Sequence, residues 1–116
     1  MPNLNLVISE KQIQQMCLNY LEILENQGKL YFFRSGAGAV KTIRSNGSQG
    51  FFKTGKAGVP DITLLYKGKF IGLEIKTEKG KQSLLQEFAQ TKIEASGGYY
   101  FIVKSLQELI KLIEIL

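Results

Sequence analysis

The chain alternates between stretches with apolar residues every three to four positions and stretches with apolar residues at every second position, the periods of an amphipathic helix and of a strand. Ile13, Cys17, Tyr20, Leu21 and Leu24 follow the helical spacing. Ser9-Glu10-Lys11-Gln12 ahead of them has the capping-box form and Gly28 ends the run, which predicts a first helix over about 10 to 27. Leu30 to Arg34 reads as a short strand, and a glycine-rich stretch of loop character follows as far as Pro60. Two strands are then predicted, near 61 to 67 and 69 to 77, around a Lys67-Gly68 turn. Leu65 and Phe70 lie on one face of this hairpin and Ile62 and Leu73 on the other, so both faces are apolar and the hairpin belongs in the middle of a sheet. Ser83-Leu84-Leu85-Gln86 is a second capping box. It opens a helix with Leu85, Phe88, Ala89 and Ile93 directed inward that closes at Gly97-Gly98. Tyr99 to Val103 is another strand, and Ser105-Leu106-Gln107-Glu108 caps a last helix through Leu109, Ile110 and Ile113. The predicted order is αβββαβα in one domain over residues 1–116, an α/β chain without repeat or linker.

A two-residue turn at Lys67-Gly68 fixes the hairpin register. Tyr66 then faces Lys69, Leu64 faces Ile71, Ile62 faces Leu73, and Asp61 falls opposite Glu74. Directly opposed side chains sit about 4.5 to 5.5 Å apart at Cβ, where like charges repel. The pair therefore asks for a compensating cation, and Mg²⁺, which takes one or two carboxylates and leaves its other positions to water and phosphate, suits it. Period-two alternation puts Lys76 on the same face as Glu74. A slip of one residue would scatter all three.

Composition narrows the chemistry. The chain has 44% hydrophobic and 22% charged residues over 116 positions, enough for a single modest core. One cysteine, Cys17, and no histidine exclude an internal disulfide, a Cys/His zinc site and a histidine-based triad. No apolar run approaches the roughly 20 residues of a membrane span, and Met-Pro-Asn-Leu-Asn-Leu lacks the regions of a signal peptide, so an intracellular, cytoplasmic location is expected. The net charge of +5 is localised: Arg34, Lys41, Arg44, Lys53 and Lys56 fall between Arg34 and Pro60 with no acid among them, and the other ten basic residues balance the ten acids. Glycines surround these cations, which suits close approach to a polyanion. Gly36-Ala37-Gly38-Ala39-Val40 is not a dinucleotide loop, because Lys41 stands where the third glycine belongs and no helical pattern follows.

The motifs and their order resemble the stand-alone VRR-NUC domains, a branch of the PD(D/E)xK nucleases found in phages, bacteria and eukaryotic repair nucleases. The residues that carry the resemblance are Ser9-Glu10 with Ile13 and Gln14, Gly58-Val59-Pro60-Asp61, Glu74-Ile75-Lys76, Gly80-Lys81-Gln82-Ser83 with Gln86, and Gly97-Gly98-Tyr99. The resemblance implies a restriction-endonuclease-like core, with a central mixed sheet flanked by helices. It also implies a Mg²⁺- or Mn²⁺-dependent endonuclease in a bacterial or phage-infected cytoplasm, acting on DNA, with kinship to Holliday-junction resolvases and a homodimeric state. By position it makes Asp61, Glu74 and the backbone carbonyl of Ile75 metal ligands. Lys76 would orient or activate the attacking water and offset phosphate charge, and a glutamate of the first helix, here Glu10, would join the active site.

At 100° per residue Glu10 lies near the stripe of Ile13, Cys17 and Leu24, so its carboxylate is expected to point toward the protein body, where it would need the metal or its waters. The other reading is a first-turn acid favouring the helix dipole. Gln86 has two readings as well: the resemblance implies a glutamine near the site that would contact substrate or a metal-bound water, and it is also the third position of its own capping box. Arg34 and Lys81 join Lys41, Arg44, Lys53 and Lys56 as candidate phosphate contacts, or are surface charge. Phe51-Phe52 would stack on bases, close a dimer or pack under its loop. The rival functional classes are a non-catalytic nucleic-acid-binding module using residues 34–60 and a scaffold whose cations meet an acidic protein.

Overall fold

The structure, a computed structural model, describes residues 7–36, 38–43, 45–54 and 56–116, with the backbone alone described at 38–42 and 50–54. Helix α1 (Glu10–Asn26) begins at the predicted capping box, in which the Ser9 hydroxyl accepts from the Gln12 amide N–H and the Gln12 side chain accepts from the Ser9 N–H. Strand β1 (Tyr31–Arg34) follows, then β2 (Gly38–Ile43) and β3 (Gln49–Thr54), then β4 (Ile62–Tyr66) and β5 (Lys69–Ile75). Helix α2 (Leu84–Ala95), strand β6 (Tyr99–Val103) and helix α3 (Leu106–Ile115) complete the chain. The predicted αβββαβα order holds for the core elements, and β2 and β3 are added to it.

Four strands form a mixed sheet in the order β1-β4-β5-β6. The β1–β4 and β4–β5 pairs are antiparallel and β5–β6 is parallel, with α2 as the crossover. The hairpin register is the predicted one: Ile62 pairs with Leu73, Leu64 with Ile71 and Tyr66 with Lys69. Lys67 (φ 51°) and Gly68 (φ 76°) are both left-handed, the geometry whose twist matches a two-residue hairpin. One face of the sheet, with Ile62, Leu64, Ile71, Leu73, Ile75 and Val103, packs against Ile13, Cys17, Leu21 and Leu24 of α1 and Leu109 and Ile113 of α3 to make the core. Cys17 is fully buried in it, and burial pushes its thiol up to about 11, so it serves here as a small apolar side chain.

Within 34–60 the described residues include two strands where a loop was expected. β2 and β3 form a separate two-stranded antiparallel sheet in which Lys41 pairs with Phe51 and Ala39 with Lys53. At its tip the Asn46 side-chain oxygen accepts from the Ser48 N–H and hydroxyl, and Gly47 takes φ 83°. Asn-Gly between β-branched and aromatic residues is a hairpin signal, outweighed in the sequence reading by the density of glycine.

Helix α2 also departs from expectation. None of its residues is buried, and Leu85 and Phe88, expected inward, are exposed. They line a groove of about 550 Å³ with Lys56, Ala57 and Val59. The helix meets the sheet at its two ends instead of along an apolar stripe: Gln86 reaches β5, and Ile93 packs at Gly98. Replacing Gly68 by alanine, which forces a Cβ into a left-handed position, is expected to lower stability by about 1–2 kcal/mol in urea denaturation, without altering the helical circular dichroism.

Candidate active site

Because side chains alternate along β5, Gly72, Glu74 and Lys76 fall on the face opposite the core, the face that α2 approaches. Asp61 precedes β4 and continues its register to stand across from Glu74. The Asp61 carboxylate oxygen Oδ2 accepts the Ile75 backbone N–H at 2.7 Å. In an unbroken ladder the next hydrogen-bonded pair after Ile62–Leu73 would join Pro60 to Ile75. Pro60 has no N–H, so the Ile75 carbonyl loses the donor that a ladder would supply, while the Asp61 side chain captures the Ile75 N–H. The local chemistry of Pro-Asp thus ends the ladder and presents the Asp61 carboxylate beside the Ile75 backbone.

Several contacts hold the Pro60-Asp61 peptide in that position. Thr63 Oγ1 donates to Ser35 Oγ at 2.7 Å, Ser35 Oγ donates to the Pro60 carbonyl at 2.7 Å, and the Ser35 and Gly36 N–H groups both donate to the Asp61 carbonyl at 2.9 and 3.2 Å. The Pro60 ring lies over Gly72, where a Cβ would come within 2.5 Å of Pro60 Cγ. Gly58 (φ 81°) lets the preceding turn touch the α2 backbone, since a Cβ there would collide with the Leu85 carbonyl.

Glu74 is strongly perturbed. It is 1% exposed, and burial above all, then a hydrogen bond and repulsion shared with Asp61, push its carboxyl up to about 8, against the smaller opposing pull of Tyr100 and Lys76. Gln86 Nε2 donates to Glu74 Oε1 at 2.8 Å and the Tyr100 hydroxyl donates to Oε2 at 3.1 Å. Gln86 meets both of its sequence readings at once, because its Oε1 also accepts the Ser83 N–H at 2.9 Å in the capping box.

The structure therefore brings Asp61, Glu74, Ile75, Lys76 and Gln86 together. It does not bring Glu10 to them. Glu10 is exposed, and among the described residues no three carboxylates are grouped so as to hold an ion. Its angle on the helix is that of the buried stripe, but among the described residues the first turn of α1 borders a groove lined by Ser9, Ile13, Thr77 and Lys104. Arg34 pairs with Ile62 and so takes a register position on the core side of the sheet, away from the carboxylates. Lys56 and Lys81 are exposed, and Lys41, Arg44, Lys53 and Phe51-Phe52 lie outside the described side chains. Ser35, Thr63, Gly72 and Tyr100 were not singled out in the sequence. Tyr100 joins the site through the parallel β5–β6 register, which pairs it with Gly72 and which no turn in the sequence encodes.

Two outcomes test this geometry. Gly72→Ala is expected to displace Pro60, destabilise the chain by about 1–3 kcal/mol and speed hydrogen exchange at the Ile75 amide while Leu73 stays protected. Below about 4.5 the Glu74 carboxyl is protonated folded or unfolded, and between 4.5 and 8 only the folded chain keeps the proton, so this group's stabilisation drains away as pH rises through 8. Glu74→Gln is expected to melt progressively above wild type as pH is raised from 5 to 8 in metal-free buffer.

No profile of a known protein family matches the chain, and no curated protein does. A solved structure described as a VRR_NUC domain superposes on 90% of this chain and 94% of its own with a TM-score of 0.63, at 20% identity. A mixed sheet with helices on both sides, matched over nearly the whole of both chains, gives this protein the restriction-endonuclease-like fold of a VRR_NUC domain.

Proposed function

We propose that the chain is a metal-dependent DNA endonuclease that hydrolyses phosphodiester bonds. The observation that carries this reading is the pairing of Asp61 with a buried Glu74 whose carboxyl is held far above its ordinary range by desolvation and by its neighbour. Perturbed, opposed carboxylates beside a lysine characterise functional sites more than structural ones. The donor set fits a hard cation: two carboxylates and the Ile75 carbonyl are all oxygen, and Mg²⁺ or Mn²⁺ prefers oxygen. Asp61, Glu74 and Ile75 would hold it, and the bound metal would supply Lewis acidity and a water of lowered pKa. Lys76, half-buried on the same face, offers a compact positive charge where charge develops on the phosphate. Exposed Lys56 and Lys81, with the acid-free run of Lys41, Arg44 and Lys53, would bind flanking phosphates without reading bases.

The substrate reading extends to branched DNA. Two copies related by a two-fold axis would present two such sites to a symmetric four-way junction, and Tyr31, Phe33 and Leu65, exposed on the site face of the sheet, offer apolar area for a second copy. In this reading Glu10 is not a ligand.

The test is a cleavage panel of single-stranded, duplex, flap and four-way DNA with and without Mn²⁺. Wild type is expected to nick only with metal, and Asp61→Asn and Lys76→Ala to lose about 10²–10³-fold in rate with unchanged circular dichroism. Salt-sensitive DNA binding without any metal-dependent cleavage would instead mark a binding module.

A further inference from the structure

The hydroxyl of Tyr100 has no part in the chemistry outlined above, yet it is directed at the site from the far side. Tyr100 is 5% exposed. Its ring stands over Gly72, where a Cβ would lie 3.5 Å from Tyr100 Cδ2, and its hydroxyl donates to Glu74 Oε2. The other Glu74 oxygen is held by Gln86 from α2. The two donors come from different elements, so the carboxylate plane of Glu74 is fixed at both oxygens. Each oxygen keeps a second lone pair for a further partner. Asp61 is tied differently, through Oδ2 to the Ile75 N–H.

We infer that Tyr100 is a positioning residue: its hydroxyl, working with the Gln86 amide, orients Glu74 toward Asp61 so that the two carboxylates present a preformed cation seat. The inference rests on the proposed metal site. A carboxylate left with one donor swings about its Cγ–Cδ bond, and ordering it falls to the cation. A phenol carries its proton at neutral pH, and in this geometry it donates that proton to Glu74 Oε2. Partners of this kind typically change metal affinity or activity by about 10–100-fold when removed.

The experiment is calorimetric titration of Mn²⁺ into wild type, Tyr100→Phe and Asp61→Asn, at 10 °C and with folding checked by circular dichroism, followed by nicking assays across a Mn²⁺ series. Tyr100→Phe keeps the ring and removes one oxygen. Its Mn²⁺ affinity is expected to fall about 10–100-fold, its KM for DNA to stay at the wild-type value, and its nicking rate to recover as Mn²⁺ is raised in proportion. Wild-type Mn²⁺ affinity in Tyr100→Phe, or a rate loss that excess Mn²⁺ does not restore, would overturn the inference while leaving the metal site standing. Absence of Mn²⁺ binding in wild type, or wild-type binding in Asp61→Asn, would overturn the metal site itself and the role of Tyr100 with it.

Discussion

Two carboxylates facing each other across a hairpin repel when both are ionised, and burial of one strengthens that repulsion, so Glu74 holds its proton up to about 8. The rest of the site is organised around keeping Asp61 and Glu74 together despite that. Asp61 is held through its backbone by Ser35 and Gly36 and through its side chain by the Ile75 N–H, and Glu74 is held through both oxygens. None of these partners neutralises the charge. They fix geometry, and the electrostatic stress they maintain is the kind a divalent cation relieves. Structural strain of this sort persists only where the surroundings over-determine the position, and here the Ser35-Gly36 segment, β5, α2 and β6 all contribute to the restraint.

Close backbone approach makes this restraint possible. Gly72 leaves the hollow in which the Pro60 ring rests, and Gly58 lets the motif turn lie against the first turn of α2. Proline then has a double part: its ring fills the hollow, and its missing N–H ends the ladder at the point where Asp61 takes over the Ile75 amide. Helix α2, with none of its residues buried, contributes little to the core. Its position is defined by the Gly58 contact, the Gln86–Glu74 hydrogen bond and the Ile93–Gly98 packing, so the helix is joined to the fold largely through the site.

Much of this was legible in the sequence because turns and caps are local. Lys67-Gly68 set the register from Tyr66–Lys69 to Ile62–Leu73, and its continuation places Asp61 across from Glu74. The serines at 9, 83 and 105 fixed the three helix starts. What escaped depends on contacts between distant segments. The parallel β5–β6 register that delivers Tyr100, and the Ser35–Thr63 link across 28 positions, have no local signature. Glu10 shows the limit of a helical wheel: the angle was right, but whether that turn has protein beneath it is a tertiary fact. The β2–β3 ribbon did have a local signal in Asn46-Gly47, masked by the glycines around it.

Strand β5 carries core and chemistry on alternate residues, with Ile71, Leu73 and Ile75 on one side and Gly72, Glu74 and Lys76 on the other. A slip of one position would turn Glu74 and Lys76 into the apolar layer between α1 and α3 and expose three large aliphatic side chains. Polar groups that are costly to bury among aliphatic side chains thus penalise the nearest misfolded competitor. In that sense the site guards its own scaffold: the groups proposed for catalysis also widen the energy gap that makes the central strand settle in a single register.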